Sequence, residues 1–153
     1  MIQRIQTIYL LLVAILNLVV IFLPLAVVQS GADFFNFDAS GMSTMTTGKE
    51  LVYPTWALMA LSAIITILAF ITIFMFKKRM FQIRLCIFNT ILILGFYALF
   101  AFFMWKIAGV SEPFHFRMQI ALALPLISLI FNGLAIRNIG IDEAMVRSLD
   151  RLR

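Results

Sequence analysis

Three polar residues in this chain stand at matched distances from positive charge. Thr72, Asn89 and Asn132 are each separated by five positions from a Lys or Arg that borders a long apolar run. If each charge marks a membrane surface, the three side chains lie at one depth, about 7 Å below that surface at a rise of about 1.5 Å per residue. A polar layer at that depth can bind a ligand head group or a partner helix. The alternative is hydrogen bonding among the protein's own helices, worth about 0.6 kcal/mol per bond.

The positive charges themselves cluster between two apolar runs of membrane length. Lys77, Lys78, Arg79 and Arg84 occur within eight residues that contain no acidic residue. Such a segment is typical of a short cytoplasmic loop in a helical hairpin. Together with Arg4 and the basic C-terminal segment, this loop predicts that both termini are cytoplasmic. Basic residues close to the surface attract anionic lipid, at about 1 kcal/mol each, and simple anchoring is the preferred explanation over a specific anionic-lipid role.

The remaining residues that could bind a metal or form a disulfide are isolated in the sequence. His115 is the single histidine and Cys86 the single cysteine, so an intramolecular disulfide is impossible and no His/Cys metal set is expected. Asp33 and Asp38 lack the spacing of a calcium loop. Cys86 is expected to be a packing residue at a helix end. We therefore expect no metal and no cofactor.

Ionisable residues are absent from the predicted spans, where ion-coupled transporters usually carry them. No nucleophile is paired with a base, and no carboxylate cluster is visible, so we predict that the protein is not an enzyme. The basic residues cap apolar runs and do not form a stripe, which argues against nucleic-acid binding.

Composition sets the class of protein. The chain is 63% hydrophobic and only 12% charged, with a mean hydropathy of +1.06. Soluble domains are about 45–50% apolar and about 25% charged. These values predict one integral membrane domain whose main surroundings are the phospholipid bilayer.

The apolar runs predict an all-α membrane protein, a bundle of four transmembrane helices. Asn17, in the middle of the first run, is expected to hydrogen-bond to a neighbouring helix because no water is available there. Pro24 should bend or end the first helix, and Pro125 should kink the fourth near its middle. The predicted spans are residues 5–28, 55–76, 85–105 and 117–137.

The outer loop, residues 29–54, is the one sizeable extramembrane segment. Residues 33–38 partly alternate in polarity, and residues 49–53 are a possible partner strand, which predicts a small β-hairpin. The alternative is an irregular loop whose phenylalanines enter the membrane interface. Residues 107–116 are expected to form a short second outer turn.

The cytoplasmic tail, residues 138–153, follows a helix end predicted at Asn138–Gly140. It reads as a short amphipathic helix, with an apolar face that includes Met145, Leu149 and Leu152 and a polar face that includes Arg147 and Arg151. A helix of this length is marginal alone and needs a surface, which is the bilayer, a loop of this chain or a partner.

Three segments resemble a domain-of-unknown-function family of small bacterial four-helix membrane proteins. They are residues 1–12, the Gln82–Cys86 segment and the C-terminal residues 142–153. The resemblance covers nearly the whole chain and implies an inner-membrane location, but it supplies no activity and no functional residues. Its shared segments lie on the side predicted to be cytoplasmic.

These observations lead to two functional hypotheses. The first is a non-catalytic accessory subunit of a larger inner-membrane protein complex, such as one for protein export or envelope assembly. The second is a protein that binds or transports a lipid or a small apolar molecule. The expected contact residues are Arg4, Thr72, Lys77, Lys78, Arg79, Arg84, Asn89, Asn132, Met145, Arg147, Leu149, Arg151 and Leu152.

Overall fold

Four long helices form the body of the protein. The structure, a computed structural model, describes residues 3–30, 33–45, 51–76, 78–109 and 114–150. Helices α1 and α3 each pack against α2 and α4, so the helices follow one another around a square. All four are long and apolar enough to cross a membrane. Their bounds are α1, Gln3–Phe22; α2, Trp56–Phe74; α3, Arg79–Ala108; and α4, Leu124–Asp150.

A five-stranded antiparallel sheet joins the helices at one end, in the spatial order β4-β3-β2-β1-β5. The prediction of an all-α fold is therefore right for the bundle and wrong for the chain as a whole. The strands are β1, Ala26–Ser30; β2, Asp33–Phe37; β3, Gly41–Thr44; β4, Leu51–Pro54; and β5, Phe114–Met118.

The pairing differs from the predicted hairpin. Strand β2 lies between β1 and β3, and β4 pairs with β3, so residues 33–38 and 49–53 are not partners. The second outer connection is also more than a turn, because it supplies β5. Val28 in β1 faces Phe35 on one side and Phe116 on the other.

The first helix ends six residues before its predicted bound because of Pro24. Proline has no N–H to donate and disfavours helical geometry in the residue before it, and α1 ends at Phe22. The β-branched Val27 and Val28 then join the sheet in β1. Here an apolar run that looked like the end of a helix is a buried strand.

The sheet packs on the ends of α2 and α3 through an apolar core. Phe37 is fully buried and meets Phe100 edge to face, with ring centroids 5.6 Å apart. Thr55, just before α2, donates a 3.0 Å hydrogen bond to the Asp38 carbonyl. The sheet is thus fixed to the bundle by both an aromatic contact and a buried hydroxyl.

Helix α4 begins later and ends later than its predicted span. Arg117 lies in β5, a short 3-10 helix covers Ile120–Ala123, and Pro125 falls in the first turn of α4. Proline is well tolerated in a first turn, where its missing N–H needs no partner, so the expected mid-helix kink is wrong.

The predicted helix end at Asn138–Gly140 is wrong as well. Helix α4 runs unbroken to Asp150, and Ile139 is fully buried against Cys86 and Ala135. The residues of the predicted amphipathic tail therefore continue the fourth helix as far as Asp150, and residues 151–153 lie outside the described part of the chain. The bundle has two unlike ends: the sheet end, covered by β1–β5, and the basic end, where α2 ends and α3 begins beside Lys78, Arg79 and Arg84.

Candidate binding groove and polar core at the basic end

Each helix points one row of residues into the bundle, at alternating spacings of three and four. This spacing keeps one face of a helix directed at its neighbours over many turns. Toward the sheet end the rows are apolar, with Val20, Leu58 and Phe96 among the buried residues. Toward the basic end, polar layers alternate with apolar ones that contain Leu10, Cys86 and Ile139.

The last layer of the core at the basic end takes one polar residue from each helix. These are Gln6 of α1, Thr72 of α2, Gln82 of α3 and Asp142 of α4, and all four are buried. We call this set the end layer. Buried polar groups are costly unless they are hydrogen-bonded, so their partners determine whether the layer is stable.

Hydrogen bonds join the end layer across the bundle. Gln6 Nε2 donates to Asp142 Oδ2 over 2.7 Å, which links α1 to α4. Gln82 Nε2 donates to the Thr72 carbonyl over 3.1 Å, which links α3 to α2. Arg79 Nη1 donates to the Asp142 carbonyl over 3.1 Å and places a guanidinium at the rim of the layer.

A groove of about 450 Å³ opens beside the end layer, between α1 and the junction of α2 with α3. Its lining combines apolar side chains with a few polar groups, and Arg79 is its charged member. Such a lining suits an elongated apolar molecule with a polar or anionic end. The lining residues are Gln6, Thr7, Ile8, Ile73, Phe74, Phe76, Arg79 and Gln82.

The two predicted asparagines lie together, about two helical turns deeper in the core than the end layer and beyond the apolar layer of Cys86 and Ile139. Asn132 Nδ2 donates to the Cys86 carbonyl at 2.8 Å and to Thr90 Oγ1 at 2.9 Å. Both acceptors belong to the turn of α3 that contains Asn89. Both asparagines are fully buried or nearly so. Asn89 has no hydrogen-bond partner on either amide atom within the described part of the chain, and Asn132 has none on Oδ1.

Thr72 does not share the layer of the asparagines. Its carbonyl contacts Gln82, and Asn89 lies seven residues farther along α3, about 10 Å at 1.5 Å per residue. The Thr72 hydroxyl donates to the Leu68 carbonyl of its own helix. The prediction of one depth fails for Thr72 because α3 begins at Arg79, well before the predicted span.

A third polar layer lies nearer the middle of the bundle. Asn17 Nδ2 donates to Ser128 Oγ at 2.9 Å, and Ser62 Oγ donates to the Asn17 carbonyl at 2.8 Å. Asn17 therefore bridges α1 to both of its neighbours, which confirms the expected bond to a neighbouring helix.

Among the charged candidates whose side chains are described, Arg79 alone lines the groove, and Lys78, Arg79 and Arg84 together line a second open pocket with Glu143. Lys78 and Arg84 are exposed, Arg79 is half-buried, and Met145 is exposed on α4. The side chains of Arg4, Arg147 and Leu149 are not described, although their positions belong to helices. Lys77, Arg151 and Leu152 lie outside the described residues.

Sequence reasoning missed the end layer apart from Thr72. The sequence predicts that Asp142 belongs to a separate cytoplasmic tail and does not mark Gln6 or Gln82 as buried polar residues. The signal was present in the spacing: Ser128, Asn132, Ala135, Ile139 and Asp142 are buried at intervals of four, three, four and three. Continuing that row through Asn138–Gly140 points Asp142 into the bundle.

The groove and the end layer offer hydrogen-bonding groups and the Arg79 guanidinium, which are suited to binding a ligand. Across residues 3–30, 33–45, 51–76, 78–109 and 114–150, His, Cys, Asp and Glu never gather in threes that could hold a metal ion. The single cysteine, Cys86, is buried against α4.

A family model described as a domain of unknown function, DUF4293, matches residues 2–152. No curated protein matches the chain.

Proposed function

The chain belongs to the DUF4293 family, a domain of unknown function, and we propose that it is a non-catalytic accessory subunit of a larger membrane protein complex in the bacterial inner membrane. Both termini face the cytoplasm in this proposal, and the process served is one of protein export or envelope assembly. The four apolar helices support the membrane setting. Basic residues at the end opposite the sheet support the orientation.

The observation that carries the proposal is the projecting end of α4. The helix continues eight residues beyond Asp142, about 12 Å at 1.5 Å per residue. Met145 and Val146 in this projection are 47% and 40% exposed. An apolar pair on a helix that extends past its own bundle is suited to a groove on a partner protein.

The test is purification of the tagged protein from native membranes in mild detergent. We expect a reproducible partner at fixed stoichiometry with the wild type, and its loss with the double substitution Met145→Ser and Val146→Ser. Ser148→Ala is the matched control, because Ser148 is exposed on the same projection and its hydroxyl donates to the Met145 carbonyl. A lone monomer, or a partner retained equally by the double variant, contradicts the proposal.

A second candidate function is binding or transport of a lipid or a small apolar molecule, which the groove beside the end layer favours. Ile8, Phe74 and Phe76 offer exposed apolar surface for an acyl chain, and Arg79 offers hydrogen-bond donors for an anionic head group. Native mass spectrometry should show one retained lipid, with reduced retention in Arg79→Gln. The control is Arg84→Gln, an exposed cation on the same helix outside the groove lining. Equal retention by both variants counts against this function.

A further inference from the structure

Asn89 is the least satisfied polar group that the structure describes in the core. Its side chain is 1% exposed, and neither Nδ2 nor Oδ1 has a hydrogen-bond partner. Asn132 Oδ1 is also without a partner. Buried amides nearly always find partners, either in the protein or in ordered water, so three orphaned atoms in one region need a physical explanation.

The three atoms lie at one level of the bundle. Asn132 bonds to Cys86 and Thr90, on either side of Asn89 in α3. The antiparallel register of α2 and α3, fixed by the bond between Gln82 and the Thr72 carbonyl, places Thr66 opposite this same turn. The layer formed by Asn89, Asn132 and Thr66 therefore contains residues from three helices.

The fourth side of the layer is small and uncharged. The contact of Asn17 with Ser128 fixes the register of α1 against α4 and places Val13 and Ala14 level with Asn132. Both pack with Ala69 of α2 in one buried cluster. No charged side chain is brought to this level among the described residues, so the chemistry offered is that of neutral hydrogen bonding beside small apolar groups.

We propose that Asn89 and Asn132 form an internal water-binding site in the core of the bundle. Two oxygens that need donors and one amide nitrogen whose N–H groups need acceptors match what water supplies. The Asn89 amide nitrogen and oxygen point in different directions, so two water molecules are required. One donates to the oxygens of Asn89 and Asn132, and the other accepts from Asn89 Nδ2.

The second water molecule has a further possible hydrogen-bond partner at the same level of the bundle. Thr66 Oγ1 donates its proton to the Ser62 carbonyl at 2.9 Å and keeps lone pairs that accept a hydrogen bond. A water molecule that accepts from Asn89 and donates to Thr66 reaches the two to four partners typical of buried water. An ion is disfavoured because no side chain at this level carries the opposite charge.

A buried apolar layer of Leu10, Cys86, Ala135 and Ile139 separates this site from the polar end layer. Gln6 and Gln82 of the end layer lie beyond it, next to the groove. In the other direction, Asn17, Ser62 and Ser128 bond to one another, and an apolar core follows them. The site is therefore enclosed on both sides, by the apolar layer toward the basic end and by the hydrogen-bonded Asn17, Ser62 and Ser128 toward the sheet.

The experiment uses the whole wild-type protein in lipid nanodiscs, labelled with ¹⁵N in its asparagine side chains. Magnetisation transfer from water to each side-chain amide is measured by NMR. We expect a water cross-peak at Asn89 and none at Asn17, which is equally buried but donates to both Val13 and Ser128. Asn17 is therefore the internal control for general penetration of solvent.

Three results would overturn the site. One is the absence of water transfer at Asn89, which would mean a dry core. Another is equal transfer at Asn89 and Asn17, which would mean that the core is open to solvent without a specific site. The third is direct contact between the two side-chain amides, with Asn89 donating to Asn132 Oδ1. The variant Asn132→Leu adds a check: if it folds, the cross-peak at Asn89 should weaken, because the bridging water loses one acceptor.

Discussion

Gln6 and Asp142 are 136 positions apart in the sequence and are joined by a 2.7 Å hydrogen bond inside the protein. Gln6 lies in the first turn of α1, and Asp142 lies near the end of α4. The bond therefore closes the bundle by joining its first helix to its last, at the end opposite the sheet.

Replacing Asp142 with Ala should destabilise the protein by about 1.5–3 kcal/mol. The substitution leaves the buried Gln6 amide without its acceptor, and hydrogen bonds to charged groups lie in this range. Reversible unfolding in detergent measures the change, and Gln6→Ala completes a double-mutant cycle. The two substitutions should be non-additive. Ser148→Ala, an exposed change on the same helix, should have no comparable effect. Full additivity would show that the bond contributes nothing.

Ser128→Ala should weaken the attachment of α1 to α4 by about 0.6 kcal/mol, the average for a hydrogen bond between membrane helices. Its hydroxyl accepts from Asn17 Nδ2 and donates to the Pro125 carbonyl. The cycle with Asn17→Ala isolates the bond between helices, because the bond within α4 is lost equally in both backgrounds. A coupling energy of zero would be the contrary result. Ser148→Ala paired with Asn17→Ala serves as the additive reference.

Phe37→Ala should cost about 3–5 kcal/mol, the range for removing a buried aromatic ring. The ring is fully buried and packs edge to face against Phe100, where the sheet meets α3. Phe34→Ala is the matched control, since Phe34 is in the same strand and largely exposed, and its loss should change stability by less than about 0.5 kcal/mol. Equal costs for the two variants would mean that the sheet is not packed on the bundle.

Cysteine labelling should place the two ends of the bundle in different compartments. In a Cys86→Ala background, Ser40→Cys and Ser148→Cys each introduce one exposed thiol, at the sheet end and the basic end. A membrane-impermeant reagent should label the first from outside intact cells and the second only in inverted vesicles. Labelling of both from one side would overturn the proposed crossing of the membrane.

Features set by local spacing could be predicted from the sequence. Four long apolar helices, the end of α1 near Pro24 and the bonding of Asn17 to its neighbours all follow from runs of residues close in the chain. Asn89 and Asn132 were placed at one level because each lies at a fixed offset from a charge. These are helical properties, and helical periodicity is read directly from sequence.

Features set by distant partners could not be predicted in the same way. Val28 pairs with Phe116, and nothing in either short segment identifies the other. The continuation of α4 through Asn138–Gly140 depends on the burial of Ile139 and Asp142 against other helices. Asn and Gly favour a helix end locally, but here packing outweighs that preference.

The position of β5 also orders the events of biosynthesis. A ribosome that has completed α2 has already delivered β1–β4, yet β1 still lacks the neighbour on its other side. That neighbour is encoded after the whole of α3. In the newly made N-terminal third, β1 therefore keeps an unpaired edge until translation passes Met118. At this exposed edge a nascent chain can form incorrect strand pairs or bind a chaperone.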